Sequence, residues 1–189
     1  MTEPGSVEAH TLSLHLLVLR CQAGDERAFA RLMEAFDYKT LGLLRGLVGD
    51  DADDVQQEVW LTVYREIGRL ENPAAFRTWL YRLTRHRAID FLRKRKREQE
   101  LVDDIASQVV DAVDERDADD NLTTFDALAF EQALMAMPPP QREVMLLRYR
   151  DEMSYSEIAL VVGCPIGTVK TRLHHAKRRL QELLRRGKP

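Results

Sequence analysis

The sequence predicts an all-α protein built as two small helical domains joined by an acidic linker, and three observations carry that expectation. Apolar residues recur at three- and four-residue spacing almost throughout, and no stretch alternates with the period of a strand. Glycine and proline cut the pattern into pieces of helix length. The charge reverses sign along the chain, basic then acidic then basic, so a net charge of −3 over 189 residues conceals two cation-rich units around a negative tether. An apolar fraction of 44% is enough to bury a core in each unit.

In chain order, residues 1–23 form an N-terminal segment without a usable motif. Their apolar stretch Leu12 to Leu19 is interrupted by Ser13 and His15 and falls far short of the roughly 20 residues that span a bilayer, so no membrane insertion is expected. Ala28, Leu32, Met33 and Phe36, then Leu41, Leu43, Leu44 and Leu47, keep helical spacing up to the break at Gly49-Asp50-Asp51. Val55, Val59 and Val63 define one face of the next helix, with Trp60 and Ile67 beside them. After Asn72-Pro73, the residues Phe76, Leu80 and Leu83 repeat the pattern in a segment that also carries Arg82, Arg85, Arg87 and the run Arg93 to Arg97. From Asp103 to Asp120 eight acids stand against the single cation Arg116, with no aromatic residue, and such a composition does not offset the entropy of ordering the chain. Residues 98–124 are therefore read as a linker.

Beyond it, Pro138-Pro139-Pro140 ends a helix over Phe130 to Met137 and precedes another from Gln141 to Tyr149. Ser154 with Glu157 three positions later has the form of a capping box, opening a helix with Ile158, Val161 and Val162 inward and stopping at Gly163. Pro165 suits the first turn of the next helix, whose stripe of Val169, Leu173, Ala176, Leu180 and Leu183 leaves Thr168, Thr171, Arg172, His175 and Arg179 outside. Helix, short turn and a second, donor-rich helix is the arrangement that enters the major groove of DNA. A solvated helical hairpin has the same periodicity, and a concentration of cations in both units beyond what solubility requires favours nucleic acid.

Four words in order carry a family resemblance: "GDERAFARLMEAF", "DADDVQQEVWLTVYREI", "FRTWLYRLTRHRAIDFLRKRKR" and "LMAMPPPQREVMLLRYRDEMSYSEIALVVGCPIGTVKTRLHHAKRRL". The first three resemble region 2, and the last resembles region 4, of the extracytoplasmic function (ECF) sigma factors, two-domain members of the sigma-70 family. The resemblance implies a region 2 domain at 24–97, a region 4 helix-turn-helix domain at 125–186, and a cytoplasmic protein without catalytic residues, metal or cofactor. It implies core RNA polymerase as partner, promoter DNA both as duplex and as melted single strand, and an anti-sigma protein as a further kind of partner.

By the same resemblance, Asp54, Gln57, Glu58, Trp60 and Leu61 match the polymerase-docking helix. Asn72, Phe76, Arg82, Arg85, His86, Arg87, Arg93 and Lys94 match the surface that captures the melted downstream promoter element, with Trp79 and Tyr81 as stacking candidates. Thr168, Lys170, Thr171, Arg172, His175, Arg178 and Arg179 match the surface that meets the upstream element. His86 stands where the family often has asparagine, and His175 where arginine is common; neither histidine reproduces the hydrogen-bond pattern it replaces. In related factors the connector threads the RNA exit channel, which a negative tether suits.

Other classes explain less. A stand-alone helix-turn-helix regulator needs only the second unit and leaves "DADDVQQEVW" and the first basic block without a use. For an enzyme, His10, His15 and Cys21 follow no metal-ligand spacing, and Cys21 and Cys164 form no CxxC pair.

Overall fold

Helices account for all the regular structure among the described residues of the chain, a computed structural model covering 4–102 and 127–186, with side chains described over 12–99 and 130–185. The part of the chain before the acidic stretch, its first unit, holds α1 (Pro4–Gln22), α2 (Glu26–Val48), α3 (Ala52–Glu66) and α4 (Phe76–Val102). The second holds α5 (Ala127–Met135), α6 (Pro139–Met145), α7 (Tyr155–Val162) and α8 (Ile166–Arg186).

The predicted periodicities translate directly into burial. Leu32, Leu43, Leu44, Val59, Val63, Phe76 and Leu80 are inaccessible to solvent, each burial contributing about 1.5 to 3 kcal/mol. Breaks fall where the sequence marks them. Gly49, with φ of 70°, ends α2 and a single 3-10 turn over Gly49–Asp51 leads into α3. Asn72 caps a second such turn, Pro73–Ala75, by accepting the Ala74 N–H at 3.0 Å.

Three features depart from the sequence reading. The segment before Gly24 is a helix that packs on α2 through Val18 and Cys21, and the side-chain amide of its last residue, Gln22, donates to the carbonyls of Ile67 and Leu70. The junction is closed by Asp25, which caps α2 on the Ala28 N–H and pairs with Arg20. The Ala28 N–H, then Arg20, hold the Asp25 carboxyl below its ordinary range, so its contribution is present above the unfolded-state value and is lost as pH falls through the folded one. Helix α4 runs on to Val102, so residues 98–102 belong to a helix rather than to the linker, and 103–124 lie outside the described residues. Finally, α6 starts at Pro139, not Gln141, because a proline at the first helical position sacrifices an N–H that has no partner there.

The segment read as ending at Tyr149 contains a further element. Leu146–Arg150 forms a π-helical turn, after which Asp151 and Met153 donate their N–H groups back to the carbonyls of Leu146 and Leu147. Arg148 donates to the Met153 carbonyl at 2.8 Å and lies over the Tyr155 ring. This closure puts Glu152 at φ of 53°, in the left-handed region. A side chain there costs about 1 to 2 kcal/mol, more than the roughly 0.4 to 1 kcal/mol of unfolded-chain entropy that glycine would add. Glu152→Gly should therefore stabilise the second unit by about 0.5 to 1 kcal/mol, measured as a raised urea midpoint with unchanged m-value.

Candidate functional site

On α3 the polar residues Asp54, Gln57 and Glu58 are exposed together with Leu61, at the spacing that makes one continuous face. Trp60 does not belong to that face. Its side chain is turned into the unit, 6% exposed, and its Nε1 donates to Asp37 Oδ1 at 2.9 Å. Beside the face runs a groove of about 610 Å³ between α2 and α3, walled by Phe29, Met33 and Leu41 on one side and by Trp60, Leu61 and Tyr64 on the other. Phe29 meets Tyr64 and Trp60 edge to face, with ring centroids 5.2 and 6.2 Å apart.

Helix α4 separates its basic residues by rotation about its own axis. Arg82, His86 and Arg93 lie on one exposed side at helical spacing, with half-buried Arg85 next to them. Lys94 is exposed on a different side, 3.9 Å from Glu98, and Arg93 stands 3.9 Å from Asp90. Such exposed pairs contribute about 0 to 1 kcal/mol and leave the cations available to phosphate.

Arg87 and Phe76 require correction. Arg87 points toward α3 and donates from Nη2 to Thr62 Oγ1 at 3.0 Å, so it is half-buried and joins two helices instead of standing in the exposed row. Phe76 is fully buried, its ring 5.6 Å from that of Phe36 and 5.9 Å from that of Trp79. Tyr81 is also fully buried and Trp79 half-buried, which removes Tyr81 as a stacking platform. At the start of the turn Asn72 remains exposed, its Oδ1 committed to the cap.

In the second unit the capping box forms as its spacing requires: Glu157 N–H donates to Ser154 Oγ at 3.2 Å and Ser154 N–H to Glu157 Oε2 at 2.8 Å. Helix α7 ends at Gly163, with φ of 72°, and Pro165 supplies the first carbonyl of α8 to Val169. Val169, Leu173, Ala176 and Leu180 are buried, and α8 packs on α5 and α6. Thr168, Arg172, His175 and Arg179 form a single row, each four or three residues from the last, but they are half-buried beside the apolar stripe and not fully outside as their spacing suggested, while Lys170 and Thr171 are exposed. Thr171 donates its hydroxyl to the Gly167 carbonyl at 3.0 Å, leaving only its acceptor lone pairs outward. Arg172 makes no hydrogen bond or ion pair with any described residue. Arg179 approaches Glu182 at 3.4 Å. Arg178 departs from the expected phosphate-facing position, since its side chain is only 12% exposed and its Nε sits 3.8 Å from the same Glu182.

Sequence reasoning missed the inner wall of the groove. Phe29, Met33, Asp37 and Leu41 follow one another at four-residue steps along α2, and one acid in an otherwise apolar row was the signal that something polar is held there.

A first unit with an exposed polar face and a cationic helix, and a second with a helix-turn-helix, define the class of DNA-binding transcription factors. Residues 28–98 match the family described as Sigma-70 region 2, and residues 127–180 that described as Sigma-70, region 4. The ECF RNA polymerase sigma factor SigW of Bacillus subtilis is 32% identical over 179 residues, covering 89% of this chain and 95% of the relative. The ECF RNA polymerase sigma-E factor of Escherichia coli K12 is 32% identical over 187 residues, 93% of this chain and 98% of the relative. Among solved structures, the sigma factor RpoE in complex with the anti-sigma factor NepR from Bartonella quintana superposes with a TM-score of 0.68 at 26% identity, over 85% of this chain and 98% of that one. The chain belongs to the ECF RNA polymerase sigma factors of the sigma-70 family. No helix among the described residues is long and apolar enough to cross a membrane.

Proposed function

We propose that this sigma factor docks on core RNA polymerase through the exposed α3 face of Asp54, Gln57, Glu58 and Leu61. Asn72, Arg82, Arg85, His86, Arg93 and Lys94 hold the melted downstream element, and the α8 row reads the upstream element as duplex. The observation that carries this reading is the coexistence in one chain of a cationic helix beside a polar docking face and a separate helix-turn-helix whose Arg172 has no described partner. Neither surface needs a reacting group, so the protein supplies recognition and strand capture while polymerase supplies the chemistry, in the cytoplasm. An anti-sigma protein, the kind of partner seen on the solved relative, holds it inactive.

Run-off transcription tests the reading. Core polymerase with this protein should initiate at a two-part promoter that neither component uses alone. Binding to duplex DNA with no gain in initiation would assign the protein to the stand-alone regulators instead.

A further inference from the structure

We infer that Gln22, the last residue of α1, is a positioning residue for capture of the downstream element: its side-chain amide holds the loop between α3 and α4 in the backbone course that presents Asn72 to an unstacked base. This role rests on the reading of Asn72 as a contact to the melted strand, and it falls to a helix that carries no recognition motif.

The loop has little backbone structure of its own. After the 3-10 turn Ile67–Arg69 the chain runs extended, Leu70 at φ −72° and ψ 102° and Asn72 at φ −115° and ψ 101°, before the Pro73–Ala75 turn begins. The Leu70 N–H closes back onto the Ile67 carbonyl at 3.2 Å, but the Leu70 carbonyl has no backbone donor among the described residues. Gly68, Arg69, Glu71, Asn72 and Ala74 are all exposed. Such a stretch samples several courses unless something outside it holds it.

Gln22 supplies that hold. Its Nε2 donates to the Ile67 carbonyl at 3.0 Å and to the Leu70 carbonyl at 2.7 Å, which uses both N–H groups of a primary amide and ties the two flanks of the turn to α1. Helix α1 also packs against the Ile67–Arg69 and Pro73–Ala75 turns. The amide is not needed to close α1 itself, because the Ala23, Gly24 and Asp25 N–H groups already reach the Leu19, Arg20 and Cys21 carbonyls at its end. Both of its donors are committed to the loop, 45 and 48 residues away. The corner that carries Gln22 is stiff in turn, since Asp25 caps α2 and pairs with Arg20.

At the far side of the loop, Asn72 Oδ1 is taken by the Ala74 N–H, which orients the side chain, while its Nδ2 donates to no described residue. An exposed amide with a fixed plane and an uncommitted NH2 offers donors to acceptors on the edge of an unstacked base. Such a contact discriminates only while its geometry stays within about 0.5 Å of the productive one. Arg82 and Arg93 stand on α4 and do not depend on the loop, and contacts of their kind go to phosphates whatever the sequence. Loss of the Gln22 hold should therefore remove discrimination and leave the general grip on single strands.

Gln22→Met keeps the length of the side chain and removes both donors. The probes are single-stranded oligonucleotides carrying the downstream element of a promoter the holoenzyme uses, and that element with each base replaced. With holoenzyme, Gln22→Met should lower discrimination by about tenfold at the base position that Asn72→Ala affects, with mismatched strands bound as by the wild type. Affinity for core polymerase should not change. Gln22→Lys, whose ammonium donates as the amide does, should regain the discrimination, which a packing role alone would not predict. If Asn72→Ala discriminates as well as the wild type, the reading of Asn72 itself is removed. If Asn72→Ala loses discrimination and Gln22→Met does not, only the positioning role is overturned. Equal weakening of matched and mismatched strands by Gln22→Met would make the amide a support of the fold alone and overturn the role too. If Gln22→Met melts early, Gln22→Glu replaces it, since a carboxylate keeps the shape and offers the carbonyls no donor; unchanged discrimination there overturns the inference equally.

Discussion

Asp151→Ala should destabilise the second unit by about 3 kcal/mol and with it abolish recognition of the upstream element, while binding to core polymerase persists. The Asp151 side chain is fully buried, at the end of the π-helical turn, and receives Arg150 Nη2 at 3.1 Å. Removing one member of a buried pair costs about 3 to 5 kcal/mol, and Arg150 loses one of its contacts here. Arg150 keeps 28% of its exposure, so water relieves part of that loss and the lower end of the range applies. A unit of this size has about 5 to 15 kcal/mol in total, which makes 3 kcal/mol a large share. The turn also sets the entry to α7 through the Met153 N–H and the Arg148 contact with its carbonyl, so its loss unfastens the first helix of the helix-turn-helix. Urea denaturation followed by far-ultraviolet circular dichroism reads the stability change, and a polymerase pull-down reads the first unit. An unchanged midpoint would show that the buried pair contributes nothing net.

What could be read from the sequence was set by period and by caps. The faces of α2, α3 and α8 were legible because Leu32, Val59 or Leu173 buries on the side its spacing dictates, and the capping box at Ser154 and the stop at Gly163 have local physical causes. The π-helical turn was not legible: it is closed by the Asp151 and Met153 N–H groups reaching back to the Leu146 and Leu147 carbonyls, which leaves no periodic trace. Helix α1 escaped because Leu12, Leu16 and Leu19 remain exposed while Val18 and Cys21 bury, so apolar residues occupy both sides and blur its inward face.

The candidate site shows the same division. Family words identify positions, but rotation about the helix axis decides which of them reach solvent. In α4, Phe76, Leu80, Thr84 and Arg87 advance by four, four and three residues, so Arg87 follows the buried stripe although its charge made it resemble its basic neighbours. Arg82, His86 and Arg93 lie on the other side and keep the availability expected of them. Asp37 was the converse case, an acid in the apolar row of α2, which accepts from Gln56 and Trp60 arriving on a different helix.

Within the α8 row, Arg172→Ala and Arg179→Ala should fail in different ways. Arg172 stands two turns into the helix with no described partner, so its guanidinium is free to grip a base edge through two hydrogen bonds. Its removal should cost about 1 to 3 kcal/mol at the preferred upstream element and flatten discrimination among variants of that element. Arg179 lies two further turns along, where a groove-lying helix diverges from the bases toward the backbone, and it is already oriented by Glu182 at 3.4 Å. Its removal should weaken matched and scrambled duplexes alike and lower the slope of log affinity against log salt by about one, the signature of a single phosphate contact. The measurement is duplex affinity of each variant on both sequences at several salt concentrations, made with the holoenzyme. Equal losses on matched and scrambled elements for both variants would show that the row of Thr168, Arg172, His175 and Arg179 does not face the bases.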